Sequence, residues 1–548
     1  MRILPASDRA LLVEAADLDE ALRLRDAWEG MPGVRELIPG ARTVLVRFDP
    51  LEARAEELAA RLDATTTDAG AERPQAEVTI PVRYDGEDLD EVARLLGMTV
   101  DEVISRHLAA QWRVAFSGFS PGFGYVVGDD PLLDVPRRDT PRTRVPAGAV
   151  GLAGRFTGVY PRESPGGWQL IGRTDAVMWD VHRDPPALLA PGTRVRFERA
   201  AVVERGAERR DETPPLGGES RGQRRVSSCF ARSTTGGGLD GGAASRSSIE
   251  VVRPALQLLV QDRGRPGHAA LGVSASGAAD RTAMRDANHA VGNGRDAAVL
   301  ECVGGVVLRF HGAGVAAVTG AKGDIALTDR EGVDRGIRHG APFAYADGDE
   351  LLLGHPLRGL RYVIGVRGGI LASAALGSVA TDTLAGLGPA PLTVGDVVAI
   401  GDPAIAPDAV DPHPVPRVLP APGDVVELEI TLGPRDDWFT PAAIQALFGQ
   451  EWEVTPRSDR IGIRLHGALP LERAVPGELP SEGAETGAIQ VPPDGQPVLF
   501  LRDHPLTGGY PIAGAVTDRF LDLAGQLPPG TRVRFRRAAH SNGSVTTS

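Results

Sequence analysis

The stretch between residues 261 and 301 brings together the side chains best suited to chemistry. Its carboxylates could transfer protons, and two of its arginines could hold an anion through paired hydrogen bonds. In the structural alternative, Asp280 caps the helix DRTAMRDANHAVG and the arginines are solvated. We predict as catalytic residues Asp262, Arg265, Asp280 and Glu301. We predict as binding residues beside them Gln261, Arg263, Ser276, Asn288 and Asn293.

A second candidate is the aromatic segment FSGFSPGFGY at residues 116–125. It contains the pattern G-x-S-x-G, in which a serine acts as nucleophile when a strand, a sharp turn and a helix surround it. Glycine and proline dominate the flanking residues, so no helix is expected after Ser120. We expect a rigid loop whose rings line a pocket mouth or pack into the core. Its predicted binding residues are Phe119, Gly122 and Tyr125.

The heptapeptide PGTRVRF occurs twice, at residues 191–197 and 529–535. Each copy follows a Gly-Gly-aromatic loop, SPGGW at residues 164–168 and LTGGY at residues 506–510. Self-similarity of this length indicates one β-rich module used twice. Paired glycines let a backbone approach a ligand closely, although a plain turn would also use them. The binding residues predicted from these loops are Ser164, Gly167, Trp168, Thr507, Gly509 and Tyr510.

The elements that would position these residues begin with an α/β segment. Residues 1–82 read β-α-β-β-α-β, which predicts a ferredoxin-like subdomain. A capping box is expected at Thr99–Glu102, where a helical pair continues the chain. Within a domain that we place at residues 83–203, short strands with frequent glycine and proline from residue 111 to residue 201 predict a barrel or a sandwich. Its closing strand is PGTRVRF, with Val195 and Phe197 facing inward.

The remaining chain divides into a linker and a second β-rich half. Residues 204–248 are polar and rich in Gly, Ser and Arg, a composition typical of a flexible linker. We predict two parts in the following half, 249–410 and 411–540, and a tail at 541–548. The fold class is therefore mainly β with an α/β N-terminal subdomain.

Composition excludes several classes of function. The net charge of −13 argues against a nucleic-acid partner. No run approaches 18 apolar residues and the N-terminus lacks a basic-then-apolar pattern, so we expect no membrane partner and a cytoplasmic location. Two cysteines, Cys229 and Cys302, are too few for a disulfide framework. The single lysine, Lys322, is not in a Walker sequence or a biotin-carrier Met-Lys-Met sequence.

The eleven histidines show no metal-ligand spacing, and we predict no metal-binding residue. His107 lies one helical turn after Val103, which favours a buried core histidine over a ligand.

Several of these motifs resemble known families. GFSPGFGYV, RVPAGAVGLAG and TGVYPRESPGGWQLIGRT resemble the B-type subunit of bacterial 5-oxoprolinase, also described as allophanate hydrolase subunit 1 or the sporulation kinase inhibitor family. VQDRGRPGHAALGVSASGAADRTAMRDANHAVGN, SDRIGIRL and GAIQVPPDGQPVLFLRDHPLTGGYP resemble the C-type subunit, also called allophanate hydrolase subunit 2. The resemblance covers most of the chain, B-type first and C-type second, so residues 204–248 look like a fusion joint.

The resemblance implies cyclophilin-like β-barrel modules and a site shared between the two halves. It implies ATP-dependent opening of 5-oxoproline to glutamate, in which phosphorylation turns the lactam oxygen into a leaving group. Cations would stabilise the transferred phosphate, with Mg²⁺ as a candidate metal. The side chains considered for that role are Arg173, Arg263, Arg265 and Arg460. The family motifs add as binding residues Tyr160, Arg173, Ser458, Arg460, Gln490 and Asp503.

The resemblance also implies a separate partner, the A-type subunit of 5-oxoprolinase, which is a lactam-utilisation-type protein that no part of this chain resembles. A small-molecule substrate is expected, and a homo-oligomer stays open. Two alternatives remain. One is a urea amidolyase-related or allophanate hydrolase-related, carboxyltransferase-like enzyme. The other is a non-enzymatic module that inhibits a histidine kinase.

Overall fold

The computed structural model of the chain describes residues 1–65, 76–138, 140, 142–200, 247–405, 410, 416–477 and 479–538. The predicted linker at 204–248 lies outside the described residues except for its last two positions, and the predicted tail lies outside them entirely. None of the described helices has the length and apolar character needed to cross a membrane. We call residues 1–200 the first half and residues 247–538 the second half.

The N-terminal sheet contains four antiparallel strands in the order β1-β2-β4-β3. Alternate side chains face opposite sides of each strand. On one side, Val13 and Val46 pack against the two helices of this region. On the other, Leu12 and Leu45 pack against residues of the second half. The elements are Arg2–Ser7 (β1), Ala10–Glu14 (β2), Leu18–Trp28 (α1), Val34–Pro39 (β3), Thr43–Phe48 (β4) and Ala55–Asp63 (α2).

One strand predicted for this sheet lies elsewhere. Glu77–Val82 (β5) pairs in parallel with the strand of the first PGTRVRF copy, so its place in the N-terminal sheet was predicted wrongly. The N-terminal strand β1 occupies the sheet edge beside β2 instead. The reason is burial: Ile80 and Val82 belong to the hydrophobic core of the following barrel.

The first barrel is a seven-stranded sheet in the order β12-β9-β10-β7-β6-β13-β5. A bridge between Arg83 and Arg173 brings its two edges together. The predicted capping box is present at Thr99 and Glu102, and His107 is fully buried as expected. The elements are Leu89–Leu96 (α3), Val100–Ala109 (α4), Trp112–Ser117 (β6), Gly124–Gly128 (β7), Arg142–Val145 (β8), Ala149–Ala153 (β9), Phe156–Val159 (β10), Ser164–Gly166 (β11), Gln169–Arg173 (β12) and Arg194–Arg199 (β13).

The middle of the chain forms two facing sheets that share one core. The orders are β20-β19-β22-β17-β14-β25-β24 and β15-β16-β23-β18-β21. The elements are Ser248–Arg253 (β14), Gln257–Gln261 (β15), Arg281–Val291 (α5), Val299–Val303 (β16), Val306–His311 (β17), Gly314–Lys322 (β18), Ile325–Thr328 (β19), Asp334–Gly336 (β20), Phe343–Tyr345 (β21), Glu350–Leu353 (β22), Arg358–Val366 (β23), Ile370–Leu371 (β24) and Val397–Ile400 (β25). Helix α5 packs on the outer face of the five-stranded sheet.

The last part of the chain is a closed barrel in the order β26-β33-β30-β31-β28-β27-β34. Its elements are Val425–Leu432 (β26), Pro441–Gly449 (α6), Trp452–Val454 (β27), Gly462–His466 (β28), Glu482–Gly483 (β29), Ala488–Gln490 (β30), Val498–Phe500 (β31), Thr507–Gly508 (β32), Ile512–Val516 (β33), Asp518–Ala524 (α7) and Arg532–Arg537 (β34). The predicted mainly β fold with barrel modules is thus confirmed.

The two copies of the sequence repeat also have the same local structure. Both PGTRVRF strands lie between one parallel and one antiparallel neighbour. Beside them, the indole N–H groups of Trp112 and Trp452 donate to the carbonyl oxygens of His107 and Leu447, at 2.8 and 3.1 Å. In both copies the valine and phenylalanine are buried and the arginines exposed, as predicted. The heptapeptide therefore closes two related barrels.

Candidate functional site

The aromatic loop 118–123 joins the two halves. The N–H of Phe119 donates to Thr507 Oγ1 at 3.1 Å, and the N–H of Gly122 donates to the Leu271 carbonyl oxygen at 3.4 Å. Phe119 adopts a φ of 62°, which few non-glycine residues do. A side chain on Gly118 would collide with Thr507. Two of the predicted binding residues of this loop thus hold the second half in place.

Ser120 is not presented as a nucleophile. Its hydroxyl is buried, and the chain continues into strand β7 rather than a helix. The sequence prediction that no helix follows Ser120 is confirmed, so the strand–turn–helix surroundings that such a nucleophile needs do not occur here.

The predicted aromatic residues form a packed cluster beneath this loop. The Phe123 ring lies 5.2 Å from Tyr125, 5.3 Å from Tyr160 and 5.2 Å from Trp168, in edge-to-face contacts. Burial raises the pKa of Tyr160. Phe119 and Phe156 are the half-buried rings of the cluster, so each combines this packing with partial access to solvent.

The two Gly-Gly-aromatic loops have different surroundings. In the second copy, a side chain on Gly509 would lie 2.6 Å from Arg137 Nη1 of the first half. Gln490 Nε2 donates to the Tyr510 carbonyl oxygen at 3.3 Å. In the first copy, Ser164 Oγ donates to the Arg162 carbonyl oxygen at 3.4 Å, and the Gly167 carbonyl oxygen accepts from Arg138 N at 2.8 Å.

Arg137 and Ser481 connect the second loop to the aromatic cluster. Arg137 Nη2 donates to Ser481 Oγ at 3.1 Å, and that hydroxyl lies 3.4 Å from the Tyr125 hydroxyl oxygen. Neither Arg137 nor Ser481 stands in a motif that singles it out in the sequence. Their importance follows only from the contact between the halves.

A buried ion network lies in the second half, centred on Arg460. Its guanidinium binds Asp503 at 3.0 and 3.1 Å, Glu301, and the Gly277 carbonyl oxygen at 2.6 Å. Ser276 Oγ donates to Asp503 at 2.7 Å, and Arg361 Nε lies 3.5 Å from Glu301. The structure therefore brings together four predicted residues from distant motifs: Ser276, Glu301, Arg460 and Asp503.

Strand alternation explains why Glu301 points into this network. Its neighbours Leu300 and Cys302 face the core between the two sheets. Glu301 consequently faces the opposite side of β16, where helix α5 begins. Its Oε2 accepts from Ala279 N at 2.8 Å.

Arg265 forms the second centre of the network. It is fully buried, and its Nε donates to the Ala375 carbonyl oxygen at 3.1 Å. Its Nη1 lies 4.0 Å from Asp382 Oδ2 and has no hydrogen-bond acceptor in the described part of the chain. Ser274 Oγ donates to the same Asp382 oxygen at 3.2 Å.

Asp382 is a titratable group that no sequence pattern indicates. Burial and the neighbouring Asp503 carboxylate raise its pKa to about 7, against the opposing effect of Arg265 and two backbone N–H donors. Its loop is also close to the first half: a side chain on Gly386 would lie 3.1 Å from Arg162 Nη1. Burial lowers, and Asp382 raises, the pKa of Arg162, with a net lowering.

Asp382 should make stability depend on pH in a defined direction. Its folded pKa lies above the ordinary 3.8, so between about pH 4 and 7 the folded chain holds a proton that the unfolded chain has released. The free energy of unfolding should therefore fall as pH rises, by up to about 1.4 kcal/mol per pH unit from this group. We expect Asp382→Asn to flatten that slope in urea titrations at four pH values. Equal slopes for variant and wild type would contradict the assignment.

Other predicted residues hold backbone in place. Asp262 accepts from Ser378 Oγ at 2.6 Å and from Val379 N at 2.9 Å. Asp280 caps α5, as the structural alternative expected, and binds Arg417 and Gln526. These contacts account for both carboxylates without a ligand.

The same is true of the amide residues nearby. Asn288 Nδ2 donates to the Ala297 carbonyl oxygen at 2.8 Å, and Asn293 Nδ2 to the Val366 carbonyl oxygen at 2.8 Å. Gln261 Nε2 donates to the Thr381 carbonyl oxygen at 2.8 Å. All three amides are buried.

Three predicted residues lie apart from the network. Arg173 is exposed and pairs with Asp85 at 2.6 Å, and Arg263 is exposed and lies 3.8 Å from Asp296. Ser458 Oγ accepts from Arg464 N at 3.0 Å. Among the described residues there is no group of three or more His, Cys, Asp or Glu arranged to hold a metal ion.

Comparisons with known proteins agree with this two-part organisation. A family model of the carboxyltransferase domain, subdomains C and D, matches residues 1–189, and a model of its subdomains A and B matches residues 271–537. The crystal structure of TTHA0988 superposes with a TM-score of 0.76 at 32% identity, over 96% of this chain and 99% of that one. A single solved chain thus contains both halves of this fold.

Among named relatives, the B-type 5-oxoprolinase subunit of Escherichia coli O157:H7 is 41% identical over 179 residues, which are 32% of this chain and 82% of that protein. The C-type subunit of Escherichia coli K12 is 31% identical over 291 residues, 52% of this chain and 90% of that protein. Urea amidolyase of Lachancea kluyveri is 31% identical over 311 residues, 53% of this chain but 17% of that enzyme. The chain therefore belongs to the carboxyltransferase-domain family that includes the B-type and C-type subunits of 5-oxoprolinase, with both kinds represented in one polypeptide.

Proposed function

We propose that the chain is a fused component of an ATP-dependent 5-oxoprolinase, uniting the B-type and C-type subunits, and that it opens 5-oxoproline to L-glutamate together with a separate A-type protein. The observation that carries the proposal is the junction between the halves. There the loop 118–123 of the first half is clamped between Leu271 and Thr507 of the second. Two segments similar to separate subunits are thus in direct contact within one chain.

The reaction site of this proposal lies where Arg162 of the first half meets the 382–386 loop of the second. The substrate carries a carboxylate, and Arg162 can bind it through charge-assisted hydrogen bonds. Asp382 is buried beside this guanidinium and is proposed as a positioning residue. When Asp382 is protonated, the positive charge of Arg162 is left for the substrate.

The phosphate transfer is assigned to the assembled complex with the A-type protein. ATP and Mg²⁺ are proposed as the nucleotide and metal. Water would add to the carbon of the phosphorylated lactam, and the carbon–nitrogen bond would break as the nitrogen takes up a proton and becomes the amine. A second water would then release the phosphate from the resulting acyl phosphate and leave glutamate. Arg460 is less suited to hold phosphate than the sequence suggests, because neighbouring acceptors already occupy most of its N–H groups. Arg265 is less suited because its side chain is fully buried. A cytoplasmic location and any homo-oligomer stay predictions.

The direct test is to purify the full chain together with a lactam-utilisation-type A protein and to measure glutamate and ADP. We expect equal amounts of both products from 5-oxoproline and ATP, and none from either component alone. The separate B-type and C-type subunits of Escherichia coli serve as the positive control in the same assay. If they form glutamate and this chain does not, the proposal is wrong.

The similarity to urea amidolyase supports a second candidate, a carboxyltransferase-like enzyme acting on urea or allophanate. No biotin-carrier sequence surrounds Lys322, the only lysine of the sequence. That lysine is exposed at the end of β18 and donates to the Arg417 carbonyl oxygen at 3.3 Å. Consumption of urea or allophanate, in place of 5-oxoproline, by the complex would favour this candidate.

A further inference from the structure

A large cleft lies between the N-terminal sheet and the second half. Its volume is about 1620 Å³, larger than the roughly 300–1,000 Å³ of typical small-molecule sites. Ten arginines and eight carboxylates line it, although the chain as a whole carries 13 more negative than positive charges. The cleft therefore concentrates positive charge in an acidic protein.

Two of these arginines, Arg47 and Arg9, are bound to carboxylates across the cleft. Arg47 of the N-terminal sheet pairs with Glu36 and with Glu485 of the second half, both at 2.6 Å. Arg9 pairs in the same way with Asp518. These ion pairs connect the two walls of the cleft. Because the two arginines are neutralised by carboxylates, they leave little positive charge for a ligand.

Arg281 and Arg502 are different, because the one carboxylate beside them, Asp522, pairs with the Arg502 guanidinium but binds Arg281 only through its backbone N–H. Asp522 accepts from Arg281 N at 3.1 Å, from Thr282 N at 3.0 Å and from Thr282 Oγ1 at 2.7 Å. It lies 3.3 Å from Nη2 of Arg502, whose side chain is buried. The carboxylate is thus largely committed to the first turn of α5.

The Arg281 guanidinium has no carboxylate partner in the described ranges of the chain. Its Nη2 donates to the Arg263 carbonyl oxygen at 3.2 Å, and its Nε is buried without an acceptor. The positive charge of Arg502, followed by burial, lowers the pKa of Arg281 to about 9. Two like charges are therefore held together at the cleft wall, an arrangement that an anion would stabilise.

We propose that Arg281 and Arg502, with Arg263 at the rim, bind phosphate groups of a ligand such as a nucleotide or pyrophosphate. Guanidinium groups match the geometry of phosphate oxygens and keep their charge when partly buried. The cleft has room for a nucleoside beside them. This site is separate from the junction at Arg162 and does not depend on the lactam reaction.

The chain connects this site to the ion network. Arg263 lines the cleft while Arg265, two residues later, lies in the network. Ala275 lines the cleft between Ser274 and Ser276, whose hydroxyls bind Asp382 and Asp503. The short segments 263–265 and 274–276 therefore connect the proposed phosphate site to the buried carboxylates of Asp382 and Asp503.

Calorimetric titration of the full chain with inorganic phosphate, pyrophosphate and ATP, without the A-type protein or 5-oxoproline, tests the site. We expect pyrophosphate and ATP to bind, and Arg281→Gln and Arg502→Gln each to weaken binding about 10- to 100-fold, the effect of losing a charged hydrogen bond. Arg330→Gln, an exposed arginine outside the cleft, should leave the affinity unchanged. If ATP binds more tightly than pyrophosphate, the ligand is a nucleotide. If ATP and pyrophosphate bind with equal affinity, the site recognises the phosphate groups alone.

Absence of binding by the wild-type chain, or equal affinity in the Arg281 and Arg330 variants, would overturn the proposal. A second measurement needs no variant. Phenylglyoxal modifies accessible guanidinium groups, and pyrophosphate should protect Arg281 from this modification in peptide mass maps. Unprotected modification of Arg281 would equally reject the site. Glutamate formation is measured in neither experiment, so failure here leaves the proposed reaction untouched.

Discussion

Arg460→Met is expected to lower the free energy of unfolding by about 3–5 kcal/mol, the usual cost of removing one partner from a buried ion pair. Arg460 is 1% exposed and binds two carboxylates, Glu301 and Asp503, which are themselves buried. Without the guanidinium, Asp503 would lose the arginine that it pairs with, and Glu301 would keep only one arginine, Arg361, at 3.5 Å. Urea or guanidinium unfolding followed by circular dichroism measures the loss.

Arg173→Met is the matched control. This arginine was also predicted to bind ligand, and it pairs with Asp85 at 2.6 Å, but the side chains are 62% and 43% exposed. Exposed pairs contribute about 0–1 kcal/mol because water and salt screen them. If the two variants lost similar stability, the network around Arg460 would not be the buried ionic centre described above.

The second large effect concerns activity. In the complex with the A-type protein, Arg162→Gln is expected to raise the KM for 5-oxoproline about 10- to 100-fold, the loss of a charge-assisted hydrogen bond to the substrate carboxylate. Stability should change little, because among the described residues Arg162 pairs with no carboxylate at hydrogen-bond distance. Steady-state glutamate release at varied 5-oxoproline gives KM and kcat separately.

Arg144→Gln controls for the loss of a positive charge in the same half. Arg144 is exposed and pairs with Glu163 on the surface. The KM of the Arg144→Gln variant for 5-oxoproline should therefore equal that of the wild type. Asp382→Asn provides a further readout, since it should remove any rise of KM with pH between about pH 6 and 8. An unchanged KM in Arg162→Gln would place the substrate elsewhere.

Local patterns predicted much of the fold. The repeated heptapeptide identified two related barrels, because alternating apolar residues dictate which side of a strand is buried. The capping box at Thr99 and the N-cap at Asp280 were confirmed because capping depends on residues three positions apart. Strand β5 was predicted in the wrong sheet because its own residues suit either one. Its packing partners in the barrel determine which sheet it joins.

The site was predicted less completely. Ser276, Glu301, Arg460 and Asp503 were singled out and do meet, but as a buried network. Asp382 and Arg162 were not singled out from the sequence, although Arg162 lies two residues before Ser164, where the first Gly-Gly-aromatic loop begins. No local spacing relates these two residues, which belong to different halves.

By itself, the sequence determined several local elements, the duplication and the family, because each depends on neighbours within a few residues or on long matching motifs. The tertiary structure alone decided which polar groups are buried and that a loop of the first half contacts the second half. Phe119 and Thr507 are 388 residues apart and form one hydrogen bond. The raised pKa of Asp382 and the lowered pKa of Arg281 follow from burial and from charges brought close by folding, and both effects vanish in the extended chain.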